Sequence, residues 1–447
     1  MFRPKFICKL LIVCFVTLSV LIGCSGTPRP GNESTGPGTA DKAGVPGPYT
    51  GGPVELLIKD VNTAIFTDQD IQKVMMQAVK AKYPEITLRI VNDKIEDMIA
   101  SGSPPDMVAL SHSQLANYKS LDLPDDLRMW IKQRNIDLTS LDPVVMNAIK
   151  DFGPSGEIFG LPFGMNHGAL IYNKDIFDKF GLPYPKDSLA WEEVVEMNRR
   201  LTRLEGGVQY IGAATSSFLN MTRQYGLSLV DEKNEKAVLT SDGFRHVFGL
   251  MQQLFQAPGY VQNSNYTYKN TDFYRDQTLV MQANWIAAVA GDIKKLKPPF
   301  KWDLTAFPVY KDRPAVGNPV DFHMLAVSKT SKHKDAAIRV LETLLSKEAQ
   351  LAISKSGRIS VLADPQIKVT FAEDSGIFTE KNLKAIFNVS AAPLVRSDFS
   401  EYKDVISPFI TDAVKNIAVN KADINTALRQ AEEQANQKVR SMKEAQR

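Results

Sequence analysis

Short apolar runs alternate with amphipathic ones through the body of this chain, and that alternation narrows the fold more than any other feature. VELLIKDV at 54–61 is an apolar run that reads as a buried strand. An amphipathic stretch then runs to Lys82, with Asp68 or Asp70 as its cap and Pro84 at its end. ITLRIV at 86–91 alternates as a second strand, and DMVAL at 106–110 follows the Pro104-Pro105 breaker as a third. A β-α-β-α-β order predicts an α/β fold with mostly parallel sheets flanked by helices. Ligands of such sheets gather at the carboxyl ends of the strands, where strand order switches. Asn62 and Phe66 after the first strand, and Ser111 and His112 after the third, are therefore candidate binding residues.

The alternation continues downstream. GALIYNKDIFDKFG, from Gly168, runs a strand into a helix that Asn173 or Asp175 is placed to cap. Helical patterns follow from about Trp191 to Leu204 and from Asp242 to Phe255. LVMQANW (279–285), WDLTAFPV (302–309) and HMLAVS (323–328) read as strands, and a helix begins near Ser331 or Lys334. Ile424, Ala427, Leu428, Ala431, Ala435, Val439 and Met442 lie on one stripe behind Asp423, which predicts an amphipathic helix packed on the body. Tyr260, Tyr266, Tyr268 and Tyr274 make an aromatic-rich loop that either lines a cleft or plugs a core.

The N-terminus sets the compartment. Arg3, Lys5 and Lys9 precede an apolar run from Leu10 to Ile22, thirteen residues long. That is short of the roughly twenty needed to span a bilayer as a helix, and the pattern is that of an export signal over residues 1–23. Leu21-Ile22-Gly23-Cys24 resembles the bacterial lipobox, whose cysteine is diacylglycerylated and becomes the mature N-terminus. Two acyl chains suffice for stable anchoring. Cleavage there removes Cys8 and Cys14, so neither a disulfide nor a cysteine-based metal site remains. Residues 25–53 contain 20 Gly, Pro, Ser or Thr among 29, so 24–53 reads as a lipidated cysteine followed by a flexible tether. The full chain has 53 basic and 50 acidic residues; without the three signal bases the balance is 50 against 50. A neutral chain lacks the basic excess of a nucleic-acid binder.

Catalytic signatures are missing. The five histidines include no H-E-x-x-H, and neither G-x-x-x-x-G-K-[ST], G-x-G-x-x-G nor G-x-S-x-G occurs, so no metal or cofactor is expected. Ser331-Lys332-His333-Lys334 matches S-x-x-K without its partner motifs, and a helix N-cap is the expected role of Ser331. Glu192-Glu193 reads as a solvated helix face.

IFGLPFGMNHGALIYNKDIFDKFGLPYPKDSLAWEEV, residues 158–194, resembles the central signature of the family 1 extracellular solute-binding proteins, the lipoprotein receptors of ABC importers. Pro105-Asp106, Trp285 after a methionine-containing strand, FPV at 307–309, the serine-led helix at 331 and Gly357-Arg358 follow in the family's order, so the likeness spans about 54–440. Two departures stand out. Asp276 to Met281 replaces the usual Gly-Lys-x-Ala-Met, and Ala190 replaces the threonine before Trp191. The resemblance implies a two-lobed periplasmic-binding-protein-like fold of type II with a hinge between lobes. Lobe 1 is expected at 54–160 and 286–340, and lobe 2 at 161–285 and 341–447. It also implies a non-catalytic, monomeric receptor that closes on a sugar and delivers it to ABC permease subunits from the outer face of the membrane. Trp285 is the implied sugar-stacking residue, and Asn166, ahead of His167, faces the implied cleft. Asp321 and Phe322 precede a strand there, and Arg358 either meets ligand or pairs with a surface acid. A sensor presenting ligand to a membrane histidine kinase would use the same fold, and an exported hydrolase is the alternative that predicts turnover.

Overall fold

The computed structural model describes residues 47–61, 69–231, 233, 235–400 and 402–445. Cys24 with its signal, Asn62, Phe66 and the two candidate caps Asp68 and Gln69-adjacent Asp70 fall outside the described residues or side chains. β1 (Val54–Asp60), β2 (Ile86–Val91), β3 (Met107–Ser111), β4 (Leu161–Asn166) and β13 (Asp321–Val327) form one sheet in the order β2-β1-β3-β13-β4. β1 pairs parallel with β2 and with β3, as its helical crossover requires. Met75 and Val79 of α1 (Gln69–Lys82) are buried in the core.

β5 (Gly168–Asn173), β6 (Arg203–Glu205), β7 (Val208–Thr215), β10 (Leu279–Trp285) and β11 (Trp302–Ala306) form the second sheet, ordered β11-β5-β10-β7-β6. Here only β10 and β7 pair parallel. Both sheets are therefore mixed rather than mostly parallel. β13 pairs antiparallel with β3 and β4 because it reaches this sheet directly from β12 (Val316–Pro319), at the carboxyl end of β3. A parallel partner would need a crossover back to the other end. β12 pairs with β14 (Ser390–Ala392), and β8 (Val230–Asp231) with β9 (Lys236–Ala237), in two small ribbons.

Sheet membership moves the boundaries expected at 160, 285 and 340. β4 belongs with the first sheet and β5 with the second, so the chain crosses at the single residue His167. β11 keeps its segment with the second sheet, and the return crossing is at Val320, between β12 and β13. α7 (Lys334–Leu344) and α8 (Lys347–Lys355) both pack on α1. The last crossing lies between Leu362, bridged to Leu141, and Asn382, whose backbone N–H donates to Asp303 Oδ1 at 2.9 Å. The first crossing is hidden in sequence because both strands beside it are buried throughout, leaving no polar break.

The tether also ends earlier than residue 53. Arg339 on α7 donates to the carbonyls of Gly47 at 3.1 Å and Pro48 at 3.4 Å, and its guanidinium lies 5.4 Å from the Tyr49 ring and 5.3 Å from the Tyr83 ring. An aromatic residue with a buried cation beside it gives this stretch surface to bury.

Several local expectations are met. Asn173 Oδ1 accepts the Ile176 N–H at 3.2 Å and caps α2 (Lys174–Lys179). Trp191 starts α3 (Trp191–Leu201) fully buried, and Glu193 Oε2 accepts the Ala190 N–H at 2.9 Å, keeping half of a capping box without the threonine. Glu193 is thus a cap rather than a solvated acid. Ser331 is not the expected N-cap: His333 holds that position on α7, and Ser331, two residues ahead, accepts the His333 N–H at 3.1 Å and donates to Asp106 at 2.6 Å because its hydroxyl is drawn to that carboxylate. Asp423 caps α10 (Ile424–Ala445) through the Thr426 N–H at 3.0 Å. Ala427, Leu428, Ala431, Ala435 and Val439 are its buried stripe, which packs on α9 (Lys403–Ala418). The aromatic loop plugs a core. Tyr260 and Tyr274 are fully buried, Tyr268 stands edge-on to Tyr260 at 5.3 Å, and Tyr266 meets Phe255 of α4 (Asp242–Phe255) at 5.8 Å.

Candidate functional site at the carboxyl ends of the two sheets

Antiparallel register brings three predicted residues together. Asp321 lies opposite Asn166 on β4, while His323 lies opposite Ser111 at the end of β3. Ser111 Oγ is 3.3 Å from Asp321 Oδ1, and Asn166 Nδ2 donates to Asp321 Oδ2 at 3.2 Å. Ser111 also starts a capping turn: its N–H reaches Gln114 Oε1 at 3.0 Å, and its Oγ accepts the Ser113 N–H at 3.4 Å. His112 Nδ1 stands 3.5 Å from Asp321 Oδ1 and 3.4 Å from the Phe322 N–H, with the imidazole stacked on the Phe322 ring at 4.8 Å.

Charge at this cluster follows from burial and donors. Burial alone would raise the Asp321 carboxyl. The His112 imidazole, His323 and the Asn166 amide outweigh it and hold the group well below the usual carboxylate range. His323 is lowered to about 4, by burial and by Arg358 and His112 against the pull of Asp321. His167 is likewise lowered to about 4, by burial and Lys368 against Asp142. At neutral pH Asp321 is therefore an ionised carboxylate, while His323 and His167 are uncharged. The Asp321 side chain keeps 18% of its surface open, enough to accept from a further donor.

The second sheet contributes the adjoining wall. Trp285 ends β10 opposite Gly168 and occupies the N-cap of α6 (Ile286–Leu296). Its side chain is partly exposed and, unlike Trp130, does not pack into the apolar core. The first N–H groups of α6 reach across the crossing: Ile286 donates to the His167 carbonyl at 2.8 Å and Ala287 to Asn166 Oδ1 at 3.2 Å. Asn166 thus joins Asp321 on one side to the α6 N-terminus on the other, and Trp285 follows from that joint. Gly168 has no room for a side chain, since an added Cβ would stand 2.3 Å from the Phe307 ring. The close approach lets its N–H donate to Asn318 Oδ1 at 2.7 Å.

The predicted site residues separate accordingly. Ser111, Asn166 and Asp321 form one cluster, with Trp285 on the adjoining wall. Asn166 is 6% exposed with both ends of its amide engaged by protein, so it is a joint more than an open ligand contact. Phe322 does not belong to an open site: it is fully buried, because Asp321 and Phe322 point to opposite faces of β13 and this face is packed against His112. Arg358 is 3% exposed and follows Gly357, which has φ +104°, after α8. Sequence reading passed over Asn270, Gln282 and Asn284. The signal available was two amides spaced by two in the otherwise apolar LVMQANW.

Among the described residues no group of three or more His, Cys, Asp or Glu is arranged to hold a metal ion, and no helix is long and apolar enough to cross a membrane. Residues 67–351 match the sequence model of the family described as bacterial extracellular solute-binding protein. The chain belongs to that family. Among solved structures, an ABC substrate-binding protein from Listeria monocytogenes in complex with cycloalternan is 18% identical, with a TM-score of 0.68 over 86% of this chain and 98% of that one. The cyclic alpha-maltosyl-1,6-maltose binding protein from Arthrobacter globiformis is 16% identical, with a TM-score of 0.67 over 87% and 100%. The sugar-binding protein MalE from Xanthomonas citri gives 16% and 0.66 over 87% and 98%. The fold of this solute-binding protein is thus the two-lobed one of periplasmic binding proteins. Its two sheets are the cores of the lobes, its carboxyl-end cluster lies where the lobes join, and its family is one of extracellular binding proteins, not of enzymes.

Proposed function

We propose that this solute-binding protein captures an oligosaccharide or related polyol at the carboxyl ends of its two sheets and delivers it to the permease of an ABC importer. It acts as a monomer, without catalysis or cofactor, and is held at the outer face of the membrane by acyl chains on Cys24. The observation that carries this reading is the pairing of an ionised, partly open Asp321 with Trp285 across the Asn166 joint. Sugars offer apolar C–H faces that suit an aromatic ring and hydroxyl donors that suit a carboxylate. An anionic solute would meet the charge of Asp321 unfavourably. The sugars named with the solved relatives from Listeria and Arthrobacter support the same solute class.

The test is a thermal-shift screen of the purified chain against maltotriose, cycloalternan, ribitol, sugar acids, peptides and amines. A specific solute stabilises by about 2.7 kcal/mol at a hundredfold excess over Kd, with no product formed. If every neutral sugar fails while an amine or peptide raises the melting temperature, the carbohydrate reading falls and the receptor reading stands. Cys24→Ala should release the protein from the membrane without changing the affinity of the purified body.

A further inference from the structure

β10 reads Leu-Val-Met-Gln-Ala-Asn-Trp, and Gln282 and Asn284 share one face of it. Both amides are buried, Gln282 completely and Asn284 to 3% exposure. A buried amide without partners is costly, yet these two are met from a single residue, Asn270, which begins α5 (Asn270–Tyr274). Gln282 Nε2 donates to Asn270 Oδ1 at 2.9 Å, and Asn284 Nδ2 reaches the same oxygen at 3.3 Å and Gln282 Oε1 at 3.4 Å. Asn270 Nδ2 in turn donates to Asp292 on α6. The last acceptor of the set, Asn284 Oδ1, takes the backbone N–H of Trp285 at 2.8 Å.

The network therefore spans α5, β10 and α6 and ends on the residue where strand becomes helix. Trp285 has extended dihedrals, φ −71° and ψ 132°, and caps α6 without a side-chain hydrogen bond of its own. Its backbone is held by Asn284 from behind, while the next two N–H groups are held by His167 at the crossing and by Asn166 from the first sheet. An apolar pair at 282 and 284 would fill the same space but leave the Trp285 N–H without this acceptor.

We propose that Asn270, Gln282 and Asn284 are positioning residues that fix the backbone of Trp285 where strand becomes helix, and through it the setting of the ring on the wall beside the Ser111–Asn166–Asp321 cluster. Their role in solute capture rests on the reading of Trp285 given above; their hold on its backbone does not. Asn284 supplies the acceptor, and Asn270 orients Asn284 by fixing its amino group. A buried network that is fully satisfied specifies one geometry, which is what a stacking platform requires.

The experiment uses the full chain labelled with 5-fluorotryptophan, with the Trp285 resonance assigned from Trp285→Phe. Asn284→Leu, of similar volume, should move or broaden the Trp285 signal and leave those of Trp130, Trp191 and Trp302 in place. Asn270→Ala should do the same if Asn284→Leu folds poorly. A Trp285 signal unchanged in a folded variant of either kind overturns the inference, and this arm needs no solute. A second arm titrates maltotriose. Asn284→Leu and Trp285→Ala should each weaken it about tenfold or more. A moved resonance with maltotriose affinity unchanged in Trp285→Ala overturns the solute role of Trp285 and leaves the positioning intact.

Discussion

A drop in pH from about 7 to about 5 puts the two buried imidazoles, His167 and His323, under direct test. In the unfolded chain each titrates near 6.5, and burial lowers each to about 4 in the folded protein. The unfolded chain thus takes up protons first. The stability associated with neutral burial is complete above the unfolded value and is lost as pH falls from about 6.5 toward about 4. At pH 5, about one and a half units into that window, each histidine costs about 2 kcal/mol, at about 1.36 kcal/mol per unit. The pair together costs about 4 kcal/mol, a large part of a typical total of about 5–15 kcal/mol. Urea unfolding of the wild type, His167→Gln and His323→Gln at both pH values reads this directly. The wild type should lose about 4 kcal/mol on acidification and each variant about 2 kcal/mol, since glutamine does not titrate. Carboxylates common to all three proteins cancel in the comparison. If the loss in His167→Gln equals that of the wild type to within about 0.5 kcal/mol, neutral burial at the crossing is the wrong account.

Three other perturbations follow from the same contacts. Asp321→Ala strands the buried Asn166 Nδ2, whose amide cannot turn because Ala287 holds its oxygen; it should cost about 1–3 kcal/mol, and an unchanged melting curve would refute the joint. Gly168→Ala drives a methyl to 2.3 Å from the Phe307 ring, so the urea midpoint should fall by the equivalent of about 1–3 kcal/mol; a neutral or stabilising effect would mean that the approach is loose. Phe399 meets Phe152 edge-to-face at 4.7 Å across the two lobes, and Lys403 stands 3.5 Å from the Ser113 carbonyl beside it. Phe399→Ala should remove about 0.5–1.5 kcal/mol of that contact and raise the radius of gyration of solute-free protein in X-ray scattering; an unchanged radius would count against an interlobe latch.

The local architecture was legible because it is written in short-range patterns. The three strands of the first β-α-β-α-β unit, the helix from Asp242 to Phe255, the strand from Leu279 to Trp285 and the caps at Asn173 and Asp423 all follow from face polarity and capping chemistry. The site was legible in part for the same reason, since Ser111 and Asp321 flank strands whose ends could be read. Phe322 misled because β13 is buried on both faces beyond Asp321, so its pattern does not distinguish a residue facing the site from one facing the core. The burial of Arg358 was not legible, because polarity alone does not report that a positive-φ glycine precedes it.

Sequence by itself determined the α/β class, most strands and helices, the family likeness and the identity of the tryptophan at the end of β10. Tertiary structure decided which sheet each strand joins, that the lobes exchange chain at His167 and Val320, and that Asn166 serves as the joint between Asp321 and α6. It also decided that three amides from two elements converge behind Trp285. The reason is the range of the interactions. Periodicity records what each residue faces, water or protein, whereas strand pairing and amide partnership depend on segments more than a hundred residues apart, as Asn166 and Asp321 are.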